Sequence, residues 1–241
     1  MKIFQLEVTN DCNAACPFCI RSKMTRPIGY MPVWTYRRCL DLILQEPPGP
    51  SRTVNLHNLG ESLLHPQLLG YVWMATERGI VTALSTNGSC LDQELVYDLE
   101  DAGLALLRIS VDAVGAEYCY ETRGDMVLKA HAVLPDSSAP EEVYRKGLDD
   151  QGGLIAGAPH RPKCRCSFLY DSWRVVLWDG TVVTCCLDYD AENPLGTVWD
   201  EEWKEPGISL CETCSGYVMQ TALVAGNYET GVSDVDSVLA D

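Results

Sequence analysis

The chain has few basic side chains, few histidines and no long apolar run, and each scarcity argues against a class of protein. Lysine and arginine number 18 against 34 aspartates and glutamates, for a net charge of −16, which argues against binding to nucleic acid or to an anionic membrane. No apolar run approaches the roughly 18 residues that a membrane-spanning helix needs. The four histidines form no spaced pair of the kind that ligates a metal.

The 241 residues are enough for one α/β domain with a small added module. Residues 1–8 lack the apolar stretch and the cleavage site of a signal peptide, so we expect a cytoplasmic protein. Twelve cysteines in such a protein are more often metal ligands than disulfides.

The charge is unevenly distributed along the chain. Residues 1–60 hold seven basic and four acidic side chains, a net of +3, so the other 181 residues carry −19. The acidic balance favours a cationic substrate. The less acidic N-terminal part is suited to receive an acidic electron donor of the flavodoxin or ferredoxin type.

Strand-like and helix-like segments alternate through the first half of the chain. The predicted strands are Ile3–Val8, Thr53–Leu59, Val81–Thr86 and Leu104–Val111, with one more around Met126–Leu134. The predicted helices are Val33–Gln45, Pro66–Arg78 and Leu91–Ala102. Strands and helices in this order predict an α/β fold with a parallel sheet, either open or curled into a partial (β/α) barrel.

We expect this barrel to occupy residues 1–158 and a small cysteine-rich module to occupy residues 159–220. Within the module, Trp173–Trp178 and Thr181–Cys186 flank an Asp-Gly turn, which predicts a β-hairpin. Residues 221–241 are expected to form an acidic C-terminal tail.

Three cysteines follow the first predicted strand with the spacing C-x3-C-x2-C: Cys12, Cys16 and Cys19. A [4Fe–4S] cluster takes one ligand per iron, so three cysteines on one loop leave one iron open for a small molecule. The loop lies where α/β proteins place their ligand sites, at the C-terminal end of a strand. The alternative is a zinc site with a fourth ligand elsewhere, for which Cys39 is a candidate. Otherwise Cys39 and Cys90 are expected to be buried, inert thiols.

This spacing, with Phe18 just before the third cysteine, resembles that of the radical S-adenosylmethionine (radical SAM) superfamily. Three later segments resemble further motifs of that family, in family order: Leu59-Gly60-Glu61, Ser85-Thr86-Asn87-Gly88 and Ile109-Ser110-Val111-Asp112. The resemblance implies that SAM binds the open iron of the cluster. It also implies SAM contacts from Phe18, Gly60, Glu61, Ser85, Asn87, Ser110 and Arg123.

A second set of cysteines resembles that of the truncated SPASM module called a twitch domain. The resemblance implies one auxiliary [4Fe–4S] cluster, with the ligands Cys166, Cys185, Cys211 and Cys214. Cys164 is an alternative to the first of these, and Cys186 is an alternative to the second. A structural zinc ion would suit the same four cysteines.

Over most of its length the chain resembles the small 2-deoxy-scyllo-inosamine dehydrogenase type of the family. That resemblance implies hydrogen abstraction from a carbinol carbon of an amino sugar or aminocyclitol by a 5′-deoxyadenosyl radical, followed by oxidation. The candidates for the base are Asp188, Asp112 and Glu121. The chain departs from that type at two positions. The dehydrogenase type has an arginine where this chain has Gln151, and it has a carboxylate where this chain has Leu187.

Three other functions stay open. A radical epimerase would return a hydrogen atom from a thiol, for which Cys186, Cys164 and Cys119 are candidates. A peptide-modifying radical SAM enzyme would act on a ribosomal peptide. A non-catalytic metal-binding protein would hold a cluster or zinc and never cleave SAM.

Overall fold

The computed structural model describes residues 2–16, 19–110, 120–132, 144–145, 168 and 172–206. The strands in these ranges are β1 (Lys2–Leu6), β2 (Thr53–Asn55), β3 (Val81–Thr86), β4 (Leu106–Ser110), β5 (Val127–Ala132), β6 (Tyr144–Arg145), β7 (Trp173–Val176), β8 (Thr181–Val183) and β9 (Gly196–Thr197). The α-helices are α1 (Val33–Ile43), α2 (Leu68–Thr76) and α3 (Gln93–Asp101). None of these helices has both the length and the apolar character that crossing a bilayer demands.

All of these strands belong to one sheet, in the order β6-β5-β4-β3-β2-β1-β7-β8-β9. Pairing is parallel from β6 through β7 and antiparallel between β7, β8 and β9. Within the described ranges the sheet has two edges, β6 and β9, so it is a partial barrel rather than a closed one. The predicted α/β fold with a parallel sheet is confirmed.

The C-terminal hairpin extends the same sheet. Its first strand, β7, pairs in parallel with β1, so that Leu6 lies opposite Val176. The sequence predicted the hairpin but not this pairing, because the partner of a strand is decided by backbone hydrogen bonds to a distant segment. The predicted boundary at residue 158 lies outside the described residues and stays a prediction.

The second strand is shorter than predicted, ending at Asn55 rather than Leu59. The chain turns away from the sheet there, because the backbone N–H of Glu61 donates to the carbonyl oxygen of Asp11 at 2.7 Å. The residues after β2 therefore pack on the loop that follows β1 instead of continuing the sheet.

The two faces of the sheet have different surroundings. The face toward the helices is apolar, and its central side chains are Val54, Leu84, Leu107 and Ile109. Because successive side chains of a strand point to opposite faces, the residues between them lie on the other face, which we call the inner face. Near the hairpin the inner face is apolar, with Phe4, Val175 and Leu177 packed around Cys185 and Cys186. Across β2 to β5 it carries the polar side chains of Asn55, Ser85, Arg108 and Lys129 beside the apolar Ala83 and Leu106.

A buried ion pair joins four segments beside the end of β1. The side chains of Glu7 and Arg26 are 0% and 9% exposed, and Arg26 Nη2 donates to both carboxylate oxygens of Glu7, at 2.8 and 3.0 Å. Asn58 Nδ2 donates to the same carboxylate at 2.8 Å, and Arg26 Nε donates to the carbonyl oxygen of Tyr189. Burial raises the pKa of Glu7, while Arg26 and Asn58 oppose the rise. The pair therefore holds β1, the end of β2, the segment after the cysteine loop and the segment after the hairpin together.

Replacing Arg26 alone should destabilise the protein strongly, because it leaves the Glu7 carboxylate buried without its counter-charge. We expect Arg26→Met to lower the free energy of unfolding by about 3–5 kcal/mol, and the double variant with Glu7→Gln to recover part of that loss. The measurement is urea unfolding followed by circular dichroism. The matched control is Arg78→Met, which breaks an exposed pair with Asp41 (35% and 58% exposed) and should cost less than about 1 kcal/mol. Equal losses in the two single variants would contradict this role of the pair.

Candidate functional site

The cysteine loop follows β1 and carries three partly exposed thiols, those of Cys12, Cys16 and Cys19. The backbone N–H of Cys19 donates to the carbonyl oxygen of Cys16 at 3.0 Å, which closes a turn between these two residues. Burial raises the pKa of the Cys19 thiol, and the charge of Cys12 raises it further. A backbone hydrogen bond from Arg21 acts in the opposite direction and lowers this pKa. The first and third thiols are therefore near enough to interact electrostatically.

Asn10 holds the loop against the segment that follows it. Its side chain accepts from the backbone N–H of Gly29 at 2.8 Å and donates to the carbonyl oxygen of Pro27 at 2.9 Å. Its own carbonyl oxygen accepts from Arg21 Nε at 2.8 Å. Both ends of the loop are thus fixed by hydrogen bonds from one buried residue, which restricts the positions of the thiols.

Gly60 permits a close approach between the end of β2 and the start of the cysteine loop. A Cβ atom on Gly60 would lie 2.1 Å from the carbonyl oxygen of Thr9 and 2.8 Å from that of Asp11. Both contacts are with backbone atoms, which cannot move aside as a flexible side chain can. Glycine at this position is therefore a steric requirement for the position of the loop.

Glu61 braces the ends of β2 and β3. Its buried carboxylate (the residue is 2% exposed) accepts from the backbone N–H of Leu63 at 3.0 Å, from Thr86 Oγ1 at 2.9 Å and from the backbone N–H of Asn87 at 2.7 Å. Burial raises the pKa of Glu61, and these three donors oppose the rise. A carboxylate has about four acceptor positions, so one stays available for a ligand. The contact with the SAM ammonium stays a prediction, and the bracing function is one that the sequence did not show.

Asn87 connects β3 to the cysteine loop. Its Nδ2 donates to Asn13 Oδ1 at 2.9 Å and lies 3.8 Å from the sulfur of Cys12. Its Oδ1 accepts from the backbone N–H of Ser89 at 2.8 Å, which fixes the orientation of the amide. The segment expected to contact SAM therefore lies against the first cysteine. Ser85 is the first residue of this segment and lies on the inner face of the sheet. Ser110 is the last residue of β4.

Cys185 and Cys186 follow β8 and are both buried. Asp188, also buried, accepts from the backbone N–H groups of Glu192 at 2.9 Å and Asn193 at 3.2 Å. Burial raises the pKa of Asp188, and these two donors oppose the rise. The carboxylate thus closes the turn that follows the two cysteines, and its expected use as a base stays a prediction.

The turn after the hairpin is tied directly to the segment after the cysteine loop. Asp190 Oδ1 accepts from the backbone N–H of Thr25 at 2.8 Å, and Asp190 Oδ2 accepts from Thr25 Oγ1 at 3.1 Å. Together with the bond from Arg26 to Tyr189, this contact links the two cysteine-bearing regions.

Two predicted site residues lie on the outer side of α3 instead of at the strand ends. Arg123 is exposed, forms an ion pair with Asp101 at 3.3 Å and stacks on the ring of Tyr97 at 3.8 Å. Glu121 is exposed, and its backbone N–H donates to Gln93 Oε1 at 3.0 Å. These placements give no support to the predicted roles of the two residues.

The prediction of a buried thiol holds for Cys39 and is wrong for Cys90, which is exposed and accepts from Asn13 Nδ2 at 3.5 Å. The turn at Gly88 leaves Cys90 at the surface beside the cysteine loop. Several predicted site residues lie outside the described ranges: Phe18, Asp112, Cys119, Cys164, Cys166, Cys211 and Cys214.

Sequence reasoning missed Glu7 and Arg26, which organise the site without being part of it. The available signal was the acidic Glu7 inside the predicted strand Ile3–Val8, whose other residues apart from Gln5 are apolar, because a buried carboxylate requires a partner. Nothing in the spacing of the arginines identified which one that partner is.

The donor chemistry of the cysteine loop fits a [4Fe–4S] cluster that has one open iron. Within the described ranges no group of three or more histidine, cysteine, aspartate and glutamate side chains is arranged to hold a single metal ion. A cluster spreads its ligands over several irons, one thiolate each, and three thiols on one loop suit that demand. The three ligands would be Cys12, Cys16 and Cys19.

Comparisons with known proteins agree with this chemistry. Residues 6–136 match the family model of the radical SAM superfamily. The chain is 28% identical over 114 residues to the tungsten-containing aldehyde ferredoxin oxidoreductase cofactor-modifying protein of Pyrococcus furiosus, a match that covers 47% of this chain and 32% of that protein. It is 27% identical over 124 residues to the AdoMet-dependent heme synthase of Methanosarcina barkeri, covering 51% and 34%. The matches thus span about a third of the length of these curated relatives.

Two kinds of solved structure share the fold. BtrN in complex with AdoMet and 2-DOIA is similar with a TM-score of 0.62 and 21% identity, over 84% of this chain and 80% of that chain. SuiB of Streptococcus suis, bound to precursor peptide SuiA, is similar with a TM-score of 0.59 and 12% identity, over 89% and 70%. At these identities the likeness establishes the fold alone.

Substituting Gly60 should disturb the cysteine loop more than it disturbs the rest of the fold. We expect Gly60→Ala to reduce the iron bound by the cysteine loop after anaerobic reconstitution, since the added Cβ collides with the backbone at Thr9. The measurement is iron content together with the spectrum of the reduced cluster.

The matched control is Gly70→Ala, because a Cβ on Gly70 meets no atom within 4 Å. That variant should bind iron as the unmodified protein does, since alanine suits a helix better than glycine. Full iron loading in Gly60→Ala would show that the loop does not depend on this contact.

Proposed function

Because the chain belongs to the radical SAM superfamily, we propose that it cleaves SAM reductively and abstracts a hydrogen atom from a carbinol carbon of a small polar substrate, oxidising the alcohol. The observation that carries the proposal is the cysteine loop, whose three thiols are fixed at the end of β1 by Asn10, Gly60 and Asn87. When bound, a cluster at this loop supplies the electron that splits SAM into methionine and a 5′-deoxyadenosyl radical. In the oxidation, the hydrogen atom would go to that radical, the hydroxyl proton to a base such as Asp188, and the second electron to an auxiliary cluster with Cys185 among its ligands.

The residues at the strand ends would then position SAM. Glu61 has one acceptor position left for the SAM ammonium, and Ser85, Asn87 and Ser110 lie at the ends of the neighbouring strands. The inner face below them would receive the substrate. Exclusion of water from this face would protect the radical from side reactions.

We propose an amino sugar or aminocyclitol, of a cationic type, as the substrate class. Support comes from the acidic balance of the chain and from the fold shared with BtrN, which was crystallised with 2-DOIA. The departures at Gln151 and Leu187 favour a substrate different from that of the 2-deoxy-scyllo-inosamine dehydrogenase type. Leu187 is buried among the apolar side chains of the inner face, where it offers no hydrogen bond to a substrate hydroxyl.

The second candidate function is radical epimerisation, favoured by the two adjacent buried cysteines. A cluster needs one of them as a ligand, so the other is available as a hydrogen donor. Cys185 as the ligand leaves Cys186 as the donor. Peptide modification remains the third candidate, supported by the fold shared with SuiB. We further propose that a cytoplasmic flavodoxin or ferredoxin supplies the electron.

Product analysis in D2O should separate these reactions. The reconstituted protein would be incubated without oxygen with SAM, a reductant, and separate amino sugars, aminocyclitols and short basic peptides. We expect 5′-deoxyadenosine to form together with a product two mass units lighter than its substrate, measured by mass spectrometry. A product one unit heavier would instead establish epimerisation with hydrogen returned from an exchangeable thiol.

The controls for this experiment are Cys12→Ala, which should form no 5′-deoxyadenosine, and Cys39→Ala, which should form it normally because Cys39 lies buried in α1 away from the loop. If the iron-loaded protein forms no 5′-deoxyadenosine under any condition, the proposal is wrong.

The two hairpin cysteines should differ in their effect on iron content. Two [4Fe–4S] clusters hold about eight irons per chain, and loss of one leaves about four. We expect the iron content of Cys185→Ser to fall to about four per chain and that of Cys186→Ser to stay at about eight. The reverse result would make Cys186 the ligand, and no change in either variant would exclude an auxiliary cluster held by this pair.

A further inference from the structure

Arg108 is a buried cation on the inner face of the sheet. Its neighbours along β4, Leu107 and Ile109, point into the core beneath the helices, so Arg108 points to the opposite side. The residue is 5% exposed. Its Nη1 donates to Asn55 Oδ1 at 3.4 Å, a long contact to a neutral acceptor. Within the described ranges it forms no salt bridge.

This environment leaves the charge of Arg108 largely uncompensated. A guanidinium carries five N–H donors, and a single long bond satisfies one of them. Burial lowers the pKa of Arg108 to about 10, and no carboxylate of the described residues acts in the other direction. Buried charges are normally paired, because removing them from water costs several kcal/mol. An anion that binds at this position would supply the missing partner.

The neighbouring strands add further donors on the same face. Ser85 of β3 and Lys129 of β5 lie opposite Arg108 in register, so the three side chains form a row across the sheet. Among the described residues, the buried carboxylates of Glu7, Glu61 and Asp188 already accept hydrogen bonds. Glu7 binds Arg26, and Glu61 accepts three hydrogen bonds. The row carries two basic side chains in a chain whose net charge is strongly negative.

Asn55 keeps Arg108 in place without neutralising it. Asn55 Nδ2 donates to the carbonyl oxygen of Phe4 at 3.4 Å, which turns Asn55 Oδ1 toward the guanidinium. The arginine is thus oriented by a neutral partner, and its remaining donors are left for a ligand. This is the arrangement expected of a preformed anion site, since orientation is provided before the ligand arrives.

We propose that Arg108, with Ser85 and Lys129 beside it, binds an anionic group of the substrate, a carboxylate or a phosphate. The inference rests on the proposed function and narrows its substrate to an amino sugar or aminocyclitol that also carries such a group. SAM carries a carboxylate too, and one of its expected contacts, Ser85, lies in register with Arg108. Two other expected contacts, Glu61 and Asn87, lie toward the cysteine loop, where Asn87 donates to Asn13. Ser85 would therefore lie between SAM and the anionic group of the substrate, so SAM affinity is to be measured together with phosphate binding.

Binding of inorganic phosphate tests this site without requiring turnover. The reconstituted protein would be titrated with phosphate by calorimetry, and Arg108→Gln would be compared with Arg78→Gln, which changes a partly exposed arginine just after α2. We expect at least about a tenfold weaker phosphate affinity in Arg108→Gln, because charge-assisted bonds are lost, and no change in Arg78→Gln. SAM should bind to Arg108→Gln as it binds to the unmodified protein, and the slow formation of 5′-deoxyadenosine without substrate should be unchanged in Arg78→Gln.

A paired substrate test then connects the site to the reaction. Glucosamine would be compared with glucosamine 6-phosphate and with the uronic acid derived from glucosamine. For each compound the KM for 5′-deoxyadenosine formation would be measured. We expect the anionic members to have a KM at least about tenfold lower, and Arg108→Gln to abolish that difference. Arg108→Lys keeps the charge but loses the two-pronged geometry, so it should be intermediate. It also replaces Arg108→Gln in both tests if that variant fails to fold.

The outcomes are separable. Absent phosphate binding, or equal binding by the unmodified protein and Arg108→Gln, would make Arg108 a structural residue and overturn the inference. Weaker SAM binding with unchanged phosphate binding would assign the arginine to the SAM carboxylate and also overturn it. Failure to form 5′-deoxyadenosine would contradict the proposed function, while the phosphate titration would still decide whether the anion site exists.

Discussion

The buried ion pair between Glu7 and Arg26 is the interaction on which the arrangement of the site depends. It lies where β1 ends and the cysteine loop begins, and it reaches both Asn58 after β2 and the carbonyl oxygen of Tyr189 after the hairpin. An ion pair in such a position is costly to desolvate, and the hydrogen bonds from Asn58 to Glu7 and from Arg26 to Tyr189 offset part of that cost. The pair consequently favours one mutual arrangement of these four segments over looser ones.

Further contacts fix the cysteine loop relative to the neighbouring strands. The cysteine loop is held by Asn10 from one side and by the close approach of Gly60 from the other. Glu61 then joins β2 to β3, and Asn87 joins β3 back to the loop. Ligands of a cluster must be held at defined positions before it assembles, and this ring of contacts provides that preorganisation.

The distribution of charge within the fold differs from that of the chain as a whole. The overall excess of acid suggested a cationic substrate, whereas the polar part of the inner face carries Arg108 and Lys129. Net charge describes long-range attraction and solubility, while specificity depends on the few groups that face the ligand. A substrate with both an amino group and an anionic group is consistent with the two observations together.

The sequence by itself determined the alternation of strands and helices, the cysteine loop and the family, because periodicity, turn residues and ligand spacing are local properties of the chain. It also placed Asn87 directly after a strand, whereas Gly60 and Glu61, expected at the end of the second strand, follow a strand that ends earlier, at Asn55. The tertiary structure alone decided that β7 pairs with β1, that Arg26 is the partner of Glu7 and that Arg123 lies against α3. It likewise decided that Arg108 is buried between Ser85 and Lys129. These contacts join residues far apart in sequence, and strand order and register, which no local pattern encodes, bring them together.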